Sequence, residues 1–180
     1  MGETNTKSAP LFHVRTEVRV SATPEEVYAV VSDMARASEW SVECLGGRWV
    51  SGEPATVGAV FRGDNRRGPD VVSWAPVVRG DWTTDSEVVA AEPGRVFGWA
   101  IRSKAGQAQD SVWTFEMAPA AGGCVLTHHF RMGEATEGIR GITADMSDDE
   151  KRRFFSEWGA KLEQDIAATL VRVKEVVETN

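Results

Sequence analysis

The chain has 180 residues and a formal net charge of −7, with Asp and Glu outnumbering Lys and Arg by 27 to 20. That length suits one domain with a sizeable core, and the charge argues against nucleic acid or an anionic membrane surface as the main partner. No apolar run is long enough to span a bilayer, so no membrane insertion is expected. The segment Met1–Pro10 is polar, lacks the apolar core of a signal peptide and reads as a disordered tail. Two cysteines, Cys44 and Cys124, are too few for a disulfide framework and have no metal-like spacing. The expectation is a soluble cytoplasmic protein with free thiols, a tail over residues 1–10 and a single domain over 11–180.

Phe12 to Val20 alternates, with Val14, Thr16, Val18 and Val20 on one side and His13, Arg15, Glu17 and Arg19 on the other, as in a half-buried strand. Thr23-Pro24-Glu25-Glu26 opens a short helix: a Thr N-cap, Pro at the first helical position and acids in the first turn. Met34 to Trp40 suits a second short helix. Strands follow at Cys44–Val50, Val57–Asp64, Asp81–Ala91, Val96–Arg102, Ser111–Ala118 and Cys124–Met132, separated by turn signals such as Glu92-Pro93-Gly94-Arg95 and Pro119-Ala120-Ala121-Gly122-Gly123. Short connections between consecutive strands imply an antiparallel sheet. Two segments break the pattern. Arg66–Gly80 carries Val71, Val72, Trp74, Val77 and Val78 and reads as an extra hairpin whose apolar residues must cover something. Gly133–Met146 joins the last strand to the final helix at a length typical of lids and linkers.

That helix runs from Ser147 to about Val177. Ser147 and Glu150 form a capping box, and Asp148 and Asp149 complement the dipole. Phe155, Trp158, Leu162, Ile166, Leu170, Val173 and Val177 fall within an arc of roughly 120°. The pairs Asp148–Arg152, Asp149–Arg153 and Glu157–Lys161 have i,i+4 spacing on the wet side. Gly159 lies within the apolar arc and Thr169 at its edge. Both leave room for a ligand; close helix–sheet packing and a backbone hydrogen bond are the structural alternatives.

The order strand, two short helices, antiparallel strands and long terminal helix resembles the α+β helix-grip fold of the polyketide cyclase/dehydrase and lipid-transport superfamily, also called START-like or SRPBCC. Ala22-Thr23-Pro24-Glu25-Glu26-Val27-Tyr28, Trp40-Ser41-Val42-Glu43, Gly58 through Asn65, Trp82-Thr83-Thr84, Glu92 through Phe97 and Trp113-Thr114-Phe115 carry the resemblance, which extends over about Phe12 to Val177. It implies a curved sheet gripping the long helix around a hydrophobic cavity. Relatives bind lipids, hormones and polyketides, and fold alone does not choose among their activities.

Strand alternation nominates inward residues. In the last strand Cys124, Leu126, His128, Phe130 and Met132 share one face. His129 points the other way, so the two histidines do not ligate one metal together. His128 is a candidate general acid or base, since its ordinary pKa lies near neutrality; a hydrogen-bonded core histidine is the alternative. Asn65 shares a face with Phe61 and is placed to donate to a substrate carbonyl or enolate oxygen, with Thr84 orienting another oxygen. Glu43 is a third polar candidate, or else a solvated loop carboxylate. Trp82, Trp99, Trp113, Phe115 and Phe130 form an aromatic wall, faced by Trp158, Leu162 and Thr169 on the helix. Seven tryptophans against one tyrosine supports tryptophans lining a cavity.

No nucleophile elbow, phosphate loop, dinucleotide fingerprint or zinc motif is present, so no cofactor and no metal are expected. The leading reading is a cofactor-independent cyclase or dehydratase acting on a polyketide-like molecule, with His128, Asn65 and Glu43 as its catalytic candidates. A ligand carrier with the same cavity and a partner-binding or homodimerising module built on Val71–Val78 are the rivals.

Overall fold

The computed structural model describes residues 8–179, so most of the expected tail lies outside the described residues. The elements in chain order are β1 (Phe12–Val20), α1 (Pro24–Val31), a 3₁₀ turn (Met34–Glu39), β2 (Cys44–Ser51), β3 (Val60–Arg67), β4 (Gly80–Glu92), β5 (Val96–Arg102), β6 (Ala108–Ala120), β7 (Gly123–Met132), α2 (Glu137–Thr143) and α3 (Asp148–Glu178). The strands form one seven-stranded antiparallel sheet in the order β1-β7-β6-β5-β4-β3-β2. Register shifts between β2 and β3, β4 and β5, and β5 and β6 bend it. The curved sheet lies against α3 in a helix-grip arrangement, and no helix among the described residues is long and apolar enough to cross a membrane.

Local chemistry sets the helix starts. Thr23 with Glu26 and Ser147 with Glu150 form complete capping boxes at α1 and α3. The buried face of α3 runs through Phe154, Trp158, Leu162, Ile166, Thr169, Leu170, Val173 and Val177. It begins at Phe154, where the spacing had favoured Phe155; Phe155 is only half-buried and sets its ring edge-on to Phe12 at 5.7 Å. A Cβ on Gly159 would meet that same Phe12 ring at 3.8 Å, an ordinary contact, so this glycine faces β1 and opens no ligand space. Nor do the acidic and basic side chains of α3 pair as their spacing suggested. Arg152 pairs with Asp149 and Arg153 with Glu157, which frees Lys161 to turn toward the sheet.

The buried apolar residues divide into two clusters. One packs α1 and the C-terminal half of α3 against Phe97, Phe115 and Leu126; the other packs the N-terminal half of α3 against Phe12 and Phe130. They meet around a cavity under the middle of α3.

Two connections differ from expectation. β3 begins at Val60, because Gly58 adopts φ 90° and residues 57–58 form a turn, with the Gly58 and Val88 backbones bonded. The stretch Arg66–Gly80 is not a hairpin. β3 extends through Arg67, and residues 68–79 fold around one guanidinium: Arg79 donates to the carbonyls of Val71, Val72, Ala75 and Val77. Trp74 then docks on α3, where its indole donates to Glu157 and Arg153 lies 4.4 Å over its ring. Val71, Val72, Trp74 and Val77 thus pack on the cluster built around the N-terminal half of α3, while Val78 is 51% exposed at the cavity edge. Arg79→Met removes the donor from four carbonyls, and a hydrogen bond to a charged group is worth about 1.5–3 kcal/mol. The expected result is accelerated amide exchange confined to residues 68–79, with β6 and β7 amides unchanged. Unchanged loop exchange would show that packing alone holds it.

Candidate functional site

The cavity has a volume of about 350 Å³. One wall comes from β3 and β4. Antiparallel register sets Phe61 opposite Ser86, Gly63 opposite Thr84 and Asn65 opposite Trp82, so Phe61, Asn65, Thr84 and Trp82 all line the cavity. Asn65 is buried, and its Nδ2 donates to Gly63 O at 3.3 Å, Thr84 Oγ1 at 3.1 Å and Trp82 O at 3.4 Å. Backbone carbonyls only accept, which fixes the amide nitrogen on that side. Oδ1 is left without a partner among the described residues. Asn65 therefore offers the cavity an acceptor, in place of the donor expected from its strand position, and the Thr84 hydroxyl is free to donate beside it.

The second wall is aromatic. Trp99 pairs with Trp113 across β5 and β6, and Phe130 lies 4.3 Å from the Trp113 ring on β7; all three line the cavity. Phe115, expected among them, does not. It is fully buried behind the wall, stacked on His128 at 3.9 Å and 9° and met edge-on by Trp40 at 5.5 Å. Its place in the lining is taken by His128 and Trp40.

His128 is 3% exposed. Its Nδ1 lies 2.9 Å from Thr114 O, an acceptor, so Nδ1 carries the hydrogen and Nε2 keeps its lone pair. Burial pulls its pKa down to about 4; the Thr114 carbonyl opposes that shift and His129 adds to it. The expectation of an acid or base poised near neutrality is thereby corrected. Around neutral pH His128 is an uncharged imidazole and a hydrogen-bond acceptor. His129 lies on the opposite sheet face, 3.3 Å from Glu116.

At the outer end, charged side chains that are largely but not fully buried border both cavity and solvent. Glu43 takes Arg67 Nε at 2.5 Å on one carboxylate oxygen, and Arg67 Nη2 and Lys161 Nζ, each at 3.2 Å, on the other. Lys161 also pairs with Asp165. The Arg67 guanidinium lies 4.4 Å from the Trp82 ring centre and 4.9 Å from that of Trp158, and donates to Val78 O at 2.8 Å. Glu43 is thus neither isolated nor simply solvated. The opposite side is α3, which contributes Trp158, Leu162 and Thr169. The Thr169 hydroxyl has no partner among the described residues, so the backbone hydrogen bond considered from sequence is not made. Ile139 and Ile142 close the cavity from the segment Gly133–Met146, where Thr136 caps α2.

Sequence reasoning missed Arg67, Lys161, Asp165 and Trp40 as lining residues. For three of them a signal existed. Arg67 follows Asn65 by two on one strand face, and Lys161 lies three after Trp158 and four before Asp165 on one helix face.

Among solved structures, the chain is similar to the polyketide cyclase-like protein Cgl2372 of Corynebacterium glutamicum, with 28% identity, TM-score 0.64, and coverage of 96% of this chain and 94% of that one. It is also similar to the di-domain ARO/CYC BexL of the BE-7585A biosynthetic pathway, with 18% identity, TM-score 0.66, and coverage of 94% of this chain and 50% of that one. The Aha1 dimer of Colwellia psychrerythraea shares the fold at 12% identity and TM-score 0.53, over 92% of this chain and 96% of that one. No curated protein matches. The family model for polyketide cyclase/dehydrase and lipid transport matches residues 12–178. The chain belongs to the polyketide cyclase/dehydrase and lipid-transport family.

Proposed function

We infer that the protein binds a hydrophobic, oxygen-bearing small molecule in this cavity and promotes its cyclisation or dehydration. The observation that carries this reading is the arrangement of the inner groups. Asn65 Oδ1 and the Thr84 hydroxyl lie on one wall and His128 Nε2 on another, between the faces of Trp99, Trp113 and Phe130. A flexible chain bearing several oxygens would be held folded there, and orientation alone supplies several kcal/mol of barrier reduction. In that role Asn65 and His128 accept hydrogen bonds from enol or alcohol hydroxyls and Thr84 donates to a carbonyl. The relation to an ARO/CYC protein is consistent with such a substrate.

The test is native mass spectrometry of protein purified from its own host, identification of the released molecule, and turnover assays on it. His128→Ala and Asn65→Ala are each expected to lower turnover at least tenfold while the proteins remain folded. Intact turnover in both would remove the catalytic reading.

A carrier that releases its ligand unchanged is the second reading. The low pKa of His128 favours it, since a largely unprotonated imidazole is a poor acid and a weak base at neutral pH. Recovery of the bound compound unaltered after prolonged incubation with fresh protein would favour the carrier.

A further inference from the structure

The four charges at the cavity mouth are not held equally. Arg67 has anchors besides Glu43: the Val78 carbonyl and the faces of Trp82 and Trp158. Lys161 likewise has Asp165 and the Trp158 ring, 5.1 Å away. The Glu43 carboxylate, in contrast, accepts only from Arg67 and Lys161 among the described residues. Its backbone is fixed separately, through the bond from Arg66 N to Glu43 O at 2.9 Å. If the Glu43 side chain turned outward, both cations would keep their places, facing the cavity on aromatic supports. The side chains of the cluster are 11% to 23% accessible, and of the three partners Glu43 is the most accessible at 23%, which gives that rotation a path to water.

We propose that Glu43 is an internal stand-in for a ligand carboxylate: the molecule bound in this cavity is an amphiphile whose carboxylate displaces Glu43 and seats on Arg67 and Lys161, with its apolar body directed inward. A fork-shaped guanidinium and an adjacent ammonium converging on one carboxylate oxygen already show the geometry such a group needs. The two cations stay paired through the exchange, since one carboxylate takes the place of another while Glu43 turns to water. Trp82 and Trp158 also line the cavity beside the cations and give the first carbons behind the head group apolar contact. The inference rests on the ligand-binding reading above and adds the chemical class of the ligand's outer end.

The experiment is calorimetric titration of the full chain with octanoate and with 1-octanol, which share a tail and differ at the head. Octanoate is expected to bind at least about tenfold tighter, the worth of one charge-assisted hydrogen bond. Glu43→Gln removes the competitor, so octanoate affinity rises several-fold while octanol stays within about twofold. Arg67→Gln and Lys161→Met each reduce the preference, and together they abolish it. A purely structural ion cluster would yield only a through-space gain in Glu43→Gln that fades as salt is raised, so a several-fold gain that persists at about 0.5 M salt decides the matter even where the cation variants fold poorly. Equal affinities for the two compounds, or no such persistent gain in Glu43→Gln, would overturn the carboxylate inference while leaving the cavity reading intact. Binding of neither compound would overturn both.

Discussion

Phe115→Ala is expected to lower the free energy of unfolding by about 3–5 kcal/mol, among the largest losses available to a single substitution in this chain. Phe115 is fully buried, stacks on His128, meets Trp40 edge-on and lies 6.0 Å from the Trp99 ring. These neighbours are anchored in two strands and in the residue that ends the 3₁₀ turn, so they cannot collapse far into the vacated volume, and the residual void adds to the lost transfer energy. Urea unfolding should show the midpoint falling with an unchanged slope. Trp82→Ala makes the comparison: Trp82 is half-buried at the mouth, so its truncation extends a space already open and should cost less. Phe115 was expected from alternation to face the ligand. Its structural position instead makes it the floor under His128, and its loss should be felt first in stability. If Phe115→Ala unfolds with the wild-type midpoint, the aromatic layer is looser than its geometry implies.

How far the sequence reached follows from which signals are local. Alternation in β7 placed Leu126, His128, Phe130 and Met132 inward, and each is buried. Capping chemistry located the starts of α1 and α3 to the residue. Period alone was weaker at the start of α3. Phe154 and Phe155 are adjacent, four and three residues before Trp158, so helical spacing admits either, and the structure buries Phe154 while Phe155 meets Phe12 at the edge. Alternation likewise gave the direction of Asn65 and not the orientation of its amide, because that depends on carbonyls of the neighbouring strand. The inward direction of Phe115 was right as well, and the sequence held no measure of depth behind the wall. The mouth was the least legible part. Glu43 and Lys161 are separated by 118 positions, and no local pattern couples them. Lys161 had a plausible partner in Glu157, which the structure gives to Arg153 and Trp74. The ordinary pKa of histidine suggested a proton-transfer group, and burial, which no spacing reveals, reversed that chemistry.

The second large effect is a loss of stability in mild acid caused by His128. Its pKa is about 4 in the folded chain and about 6.5 once unfolded. The unfolded state therefore binds more protons between these values, and stability rises with pH across this window. The contribution is fully present above about pH 6.5, is lost progressively as pH falls toward about 4, and amounts to about 3 kcal/mol at most. Carboxylates cannot imitate this. Glu39, Asp81, Asp85 and Glu178 are held below their ordinary values by arginine, lysine and backbone partners. Their contributions begin to fade only near the ordinary carboxylate values of 4.5 and 3.8, and they are mostly solvent-screened. The slope between about pH 6.5 and pH 5 thus belongs to the buried imidazole. It should disappear in His128→Phe, whose ring retains the stack on Phe115 without a titrating nitrogen. The same window bears on function, because protonation at Nε2 removes the lone pair offered to a ligand hydroxyl. Ligand affinity should fall with stability in wild type and stay flat in His128→Phe. A wild-type stability profile that is flat from pH 6.5 to 5 would mean that water reaches the imidazole in the folded state. His128 would then regain the near-neutral titration that proton transfer requires, and the catalytic reading would gain over the carrier.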